Sequence, residues 1–164
     1  MSIFNPNSIV HSNLKIVSWM FLTRKEIKKI RNVPYGIYAF TKPMKSLPKN
    51  DQWPHEIEET VYFGMAGKSG EFKDFHHDRK SNGRKNEYWS QSILHKRIST
   101  HIKHLNTKDS SKEKIYRLYH ELYGTKGADK IALCILQPLD METIKNYEVR
   151  AWLKCMESIA IFAY

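Results

Sequence analysis

Between Ser90 and Leu105 the apolar residues Ile93, Leu94, Ile98, Ile102 and Leu105 return with helical period, so one side of that stretch faces a core. Ser111–Tyr123 predicts a second helix, with Ile115, Leu118, Tyr119 and Leu122 on one face and Gly124 as its stop. Ile131–Leu136 reads IALCIL, a continuous apolar run that predicts a central strand. Tyr35–Thr41 and Glu59–Gly64 are shorter runs rich in Tyr, Ile, Phe and Val, which favour strands. The proline-bearing stretch between them makes the two a hairpin with an enlarged loop. Near the start, Thr23-Arg24-Lys25-Glu26 forms a capping box, with Leu22 and Ile27 placed as its hydrophobic staple. A helix from Arg24 to Arg31 therefore ends ahead of Pro34, and a last helix runs from about Glu142 towards the C-terminus. The expected fold is α+β: a small, three-stranded, mainly antiparallel sheet flanked by helices. One domain spans 1–164, with a helical N-terminal extension over 1–33 and a loop-rich insertion over 65–89 that holds Gly67, Gly70 and Gly83.

Within the first strand, PYGIYAF at Pro34–Phe40, side chains alternate between faces. Gly36, Tyr38 and Phe40 share one side, and Tyr35, Ile37 and Ala39 the other. A glycine inside a strand weakens it and marks a place where something comes close. Tyr38 thus stands beside a gap, which suits either a core tyrosine with a wet hydroxyl or a functional one.

The 164 residues, 41% of them hydrophobic, fit one domain with a real core. No run of eighteen apolar residues exists to span a membrane, and MSIFNPNSIVHSN lacks the basic start and cleavage site of a secretory signal. Cys134 and Cys155 lie in apolar segments and are expected as buried free thiols in a reducing compartment. The formal charge of +10, together with 12% aromatic residues, describes a folded basic domain with a polyanionic partner, of which nucleic acid is the common kind. His76-His77-Asp78 has no partner ligands at zinc-like spacing and is not expected to hold a metal.

Gly36-Ile37-Tyr38, followed 24 residues after Tyr38 by Tyr62-Phe63-Gly64, resembles the paired signature of the GIY-YIG nuclease family. Either tripeptide alone occurs by chance; their order on two successive strands of a basic domain is more specific. The resemblance implies a helix carrying Arg-x-x-x-His or Arg-x-x-x-Tyr, and KRISTHIKHL supplies Arg97 and His101, four apart on one helix face. Here Arg97 comes 35 residues after Tyr62, later than in the compact repair and homing nucleases. That insertion looks more like the stand-alone type II restriction enzymes of the family. It contains a rival pair of the same spacing, Arg84 and Tyr88, in a stretch without helical apolar period.

By resemblance, Tyr38 takes a proton from the attacking water, Tyr62 orients water or phosphate, Arg97 clamps the phosphate and His101 relays a proton. A glutamate on the helix after the third strand binds a divalent cation, Mg²⁺ or in its place Mn²⁺. Glu148 shares a face with Ile144, Trp152, Cys155 and Ile159 and is the first choice, since a carboxylate there needs a partner. Glu157, in MESIAIFAY, is the second, because aliphatics follow it as they follow the family's glutamate. A phenol ordinarily titrates near 10, so Tyr38 is expected to need nearby cations, Arg97 and Lys68. Lys68, Lys73, Arg84, Lys85 and Lys103 are the expected contacts to double-stranded DNA, although four acidic residues temper the charge of the insertion. A symmetric restriction site ordinarily calls for two active sites, which allows a homodimer. The whole implies a cytoplasmic, Mg²⁺-dependent DNA endonuclease of bacterial or phage origin. The alternatives are a structure-specific repair or mobile-element nuclease, and a nucleic-acid-binding module without catalysis.

Overall fold

A computed structural model describes residues 5–66, 93–107, 114–124, 127–140 and 149–163 of the chain. Helix α1 (Pro6–Asn13) leads directly into strand β1 (Leu14–Phe21), and the Asn5 side chain caps the helix by accepting from the backbone N–H groups of Asn7 and Ser8. Strands β2 (Gly36–Pro43) and β3 (Thr60–Ala66) form the expected hairpin. Helices α2 (Ile93–Leu105) and α3 (Lys114–Tyr123) follow, then strand β4 (Ile131–Pro138) and helix α4 (Val149–Ala163). All strand pairs are antiparallel, in the order β1-β4-β2-β3. The fold is α+β.

The sheet has four strands where the sequence pattern led to three. The fourth is β1, inside the segment expected to be a helical extension. Its run LKIVSWMF is rich in β-branched and aromatic residues, but exposed Lys15 and a register shift between Ile16 and Ser18 blur the alternation. β1 pairs along β4, which is why IALCIL is apolar throughout: it is hydrogen-bonded on both edges and packed on both faces.

Alternation along the strands separates two cores. Met20, Tyr38, Phe40, Leu133 and Ile135 point to the face covered by α2 and α3, while Trp19, Ile37, Ala39, Cys134 and Leu136 point to the face where α1 and α4 residues pack. The expected helix at Arg24–Arg31 is a short 3₁₀ helix, Glu26–Ile30. Thr23 Oγ1 accepts from the Glu26 N–H at 3.2 Å, and Leu22 and Ile27 are buried together, as cap and staple require.

Two expectations about side chains are corrected. Cys134 is buried, but Cys155 is exposed on α4. On α3 the buried side chains are Tyr116 and Tyr119, while Leu118 and Leu122 are 44% and 60% exposed. The hydroxyls decide that rotation: Tyr119 donates to the Thr41 carbonyl and Tyr116 pairs with His101, both at 2.8 Å, so the rings turn inward together with their polar tips. No described helix is long and apolar enough to cross a membrane.

Candidate active site at the edge strand

The two glycines of the paired tripeptides serve close contacts inside the protein. A Cβ on Gly36 would lie 2.6 Å from the Leu136 carbonyl oxygen of the neighbouring strand. Gly64 is the register partner of Tyr38, and a Cβ there would lie 2.6 Å from the Tyr38 Cζ and hydroxyl. The missing side chain on β3 therefore leaves room for the phenol of β2 to lie across the strand.

Helix α2 delivers the next two groups. Leu94, Ile98, Ile102 and Leu105 fix it against the sheet, which leaves Arg97 and His101 one turn apart over Tyr38. The Tyr38 hydroxyl is 2.7 Å from His101 Nε2, and Tyr116 Oη is 2.8 Å from His101 Nδ1. Arg97 Nε–H donates to the Tyr38 oxygen at 3.4 Å, a long and weak bond. A neutral imidazole has one donor and one acceptor nitrogen. Both nitrogens are satisfied by a chain that runs Arg97 to Tyr38, Tyr38 to Nε2, and Nδ1–H to Tyr116, and equally by the reverse tautomer, in which Tyr116 donates to Nδ1 and Nε2–H to Tyr38. Burial, and then the Arg97 guanidinium and the neighbouring His104, push the His101 pKa from 6.5 down to about 3, so the ring is neutral at physiological pH. Burial, with the neighbouring Tyr62 phenol adding to it, pushes the Tyr38 hydroxyl well above the usual phenol range, and Arg97 offsets this only in part. A preformed phenolate is thus disfavoured, contrary to the expectation that nearby cations would favour one.

A cavity of about 380 Å³ opens at the β3 edge, lined by Tyr38, Tyr62, Arg97, Lys154 and Glu157, with Gly64 and Met65 from the strand. The Tyr62 ring lies 6.2 Å from that of Tyr38 and 6.0 Å from that of His101. Glu157 is buried, and its Oε2 accepts from Lys154 Nζ at 2.6 Å. On α4 the buried residues are Leu153, Met156, Glu157 and Ala160, whereas Trp152 and Ile159 are half-buried. The inward stripe is thus turned from the one expected through Trp152 and Cys155, and Glu157 falls within it.

Of the expected site residues, Tyr38, Tyr62, Arg97 and His101 come together. Glu148, the rival pair Arg84 and Tyr88, and Lys68, Lys73 and Lys85 lie outside the described residues. Lys103 is exposed on α2 and lines a second groove, of about 540 Å³, between α2 and the 3₁₀ helix Glu26–Ile30. Arg24, Lys28, Arg31 and Lys96 line it as well, and no carboxylate is among its described lining residues. Sequence reasoning missed Tyr116 and Lys154. Lys154 is legible once Glu157 is chosen, as an i, i+3 ion pair; Tyr116 had no signal, because its role depends on how α3 packs.

The Glu157 carboxylate is the one acid among the described residues lining this cavity, and a carboxylate in such a place fits a hard divalent cation that completes its shell with other oxygens. The exposed Lys154 chain can swing out to yield its place. Comparison with known proteins finds no family model that matches this chain, and neither curated proteins nor solved structures give a match.

Proposed function

We propose that this protein is a metal-dependent endonuclease hydrolysing phosphodiester bonds in double-stranded DNA, and more finely a sequence-specific restriction enzyme of the GIY-YIG kind. The observation that carries the reading is the convergence of Tyr38, Tyr62, Arg97 and Glu157 on one edge cavity of a +10 chain, with His101 bonded to Tyr38 behind it.

Arg97, planar and permanently charged, holds the non-bridging oxygens of the scissile phosphate. One such preorganised donor to a developing oxyanion is worth about 2.7–4 kcal/mol. Tyr62 orients the phosphate or the attacking water at the cavity wall. Tyr38 accepts the water's proton while passing its own to His101 Nε2, so no free phenolate forms. The anionic phosphate beside Arg97 offsets the cationic field that depresses His101, which makes the imidazole a better proton acceptor when substrate is bound. Glu157 would hold Mg²⁺, or Mn²⁺ in its place, and such an ion would supply Lewis-acid stabilisation of charge on the phosphate and leaving oxygen. Outside the cavity, the groove of Lys28, Lys96 and Lys103 offers positive charge to flanking phosphates.

A second reading, a nucleic-acid-binding module without catalysis, is favoured by one observation: Tyr38 is fully buried and its hydroxyl is pushed towards the neutral form. Incubating supercoiled plasmid with the folded protein and Mg²⁺ separates the two. Nicked or linear product that disappears with Arg97→Ala supports hydrolysis; intact DNA overturns it, and retained salt-dependent binding then leaves the module.

A further inference from the structure

On the face of the sheet opposite Tyr38, the last turn of α1 brings His11 against the turn Pro54–Glu56. His11 Nε2 lies 3.2 Å from His55 Nε2. The Trp53 ring stacks on His11 at 4.4 Å between centroids, which fixes that imidazole's plane. A carboxylate oxygen of Glu56 joins the two nitrogens, all three atoms lying within 4.8 Å of one another. Glu56 is itself held at its other end of the turn, where Oε2 accepts from the Trp53 N–H at 3.1 Å.

An N–H···N hydrogen bond accounts for the histidine pair alone and leaves unexplained why the carboxylate that caps the turn also lies beside both imidazoles. A shared cation accounts for all three groups. Zn–N bonds of about 2.0–2.1 Å at a tetrahedral angle put two ligand nitrogens roughly 3.3 Å apart, close to the separation seen. The imidazoles are therefore already spaced as ligands, and the exposed Glu56 chain has to close by at most ~1.5 Å to reach the same spacing. Two imidazoles and one carboxylate select a borderline cation such as zinc over hard Mg²⁺, which prefers oxygen. We infer that His11, His55 and Glu56 form a site for one zinc-class divalent cation, with water in the remaining position, that clasps α1 to the turn after β2. The site is separate from the edge cavity and independent of the nuclease reading.

The test is calorimetric titration of Zn²⁺ into the full chain after removal of metal with a chelator, alongside thermal melts with and without Zn²⁺. The chain should bind zinc and melt higher with it. His11→Ala and His55→Ala should each weaken binding by at least about tenfold, and Glu56→Gln by a smaller factor, while all three still unfold cooperatively in chelator and lose the zinc-dependent rise in melting temperature. His76→Ala/His77→Ala should leave the affinity unchanged. No zinc binding, or zinc bound equally well by His55→Ala, overturns the site; full affinity in Glu56→Gln removes that residue from it.

Discussion

The Tyr38 hydroxyl lies 2.7 Å from His101 Nε2 in a part of the core that solvent does not reach, and Tyr116 holds the other ring nitrogen. The imidazole is thus satisfied on both sides while neutral, and a charge on it would be buried beside the Arg97 guanidinium. This arrangement ties folding stability to pH.

His101 has a folded-state pKa of about 3 against 6.5 for the free side chain. The folded state therefore favours the neutral ring, and the contribution is fully present above pH 6.5 and lost as pH falls towards 3. By pH 5 the loss reaches roughly 2 kcal/mol. His55 and His95 are shifted in the same direction, so the measurement is a difference: denaturant unfolding of wild type and His101→Asn at pH 7 and pH 5. The stability gap between them should narrow by about that amount at pH 5. An unchanged gap would mean that His101 does not titrate this way.

Gly64→Ala would place a methyl 2.6 Å from the Tyr38 ring and hydroxyl. The ring has to shift, which costs about 1–3 kcal/mol as overpacking and breaks the register of hydroxyl to His101. Histidine NMR should report the lost bond at Nε2. Wild-type stability and an unmoved His101 signal would show that β3 has more room than this.

How much of this was legible in the chain depends on how local each cause is. Alternation in GIYAF assigned Tyr38 and Ile37 to opposite faces, as found, because the pleat fixes it. The four-residue spacing of Arg97 and His101 likewise placed both over Tyr38. β1 was hidden, because its partner β4 lies over a hundred residues on and only that pairing makes it a strand. The rotation of α3 was hidden too: counting Leu118 and Leu122 as inward ignored hydroxyls that find buried partners only once Thr41 and His101 are in place. The same error of phase on α4 put Glu157 at a solvent edge, where a stripe through Leu153, Met156 and Ala160 puts it inside.

Glu157→Gln keeps the shape of the side chain and removes its charge. Cleavage in Mg²⁺ should fall by about a hundredfold or more, with partial recovery at high Mn²⁺. Glu148→Gln, assayed beside it, decides between the two acids: if it alone abolishes cleavage, the ion belongs to Glu148.

The basic groove should reveal itself through salt. Each phosphate contact adds about 0.9 to the slope of log affinity against log salt. Replacing Lys28, Lys96 and Lys103 together with alanine should therefore lower the slope by about 2–3, equally for all DNA sequences. A slope that does not move would take the groove out of the DNA path.

The most direct measurement is the single-turnover rate at which wild type and Arg97→Ala cut the same long DNA in Mg²⁺. Wild type should cut, and the variant should be slower by about 10²–10³ with its fold intact. Equal rates, or no cutting by folded wild-type protein, would contradict hydrolysis in the cavity of Tyr38, Tyr62, Arg97 and Glu157.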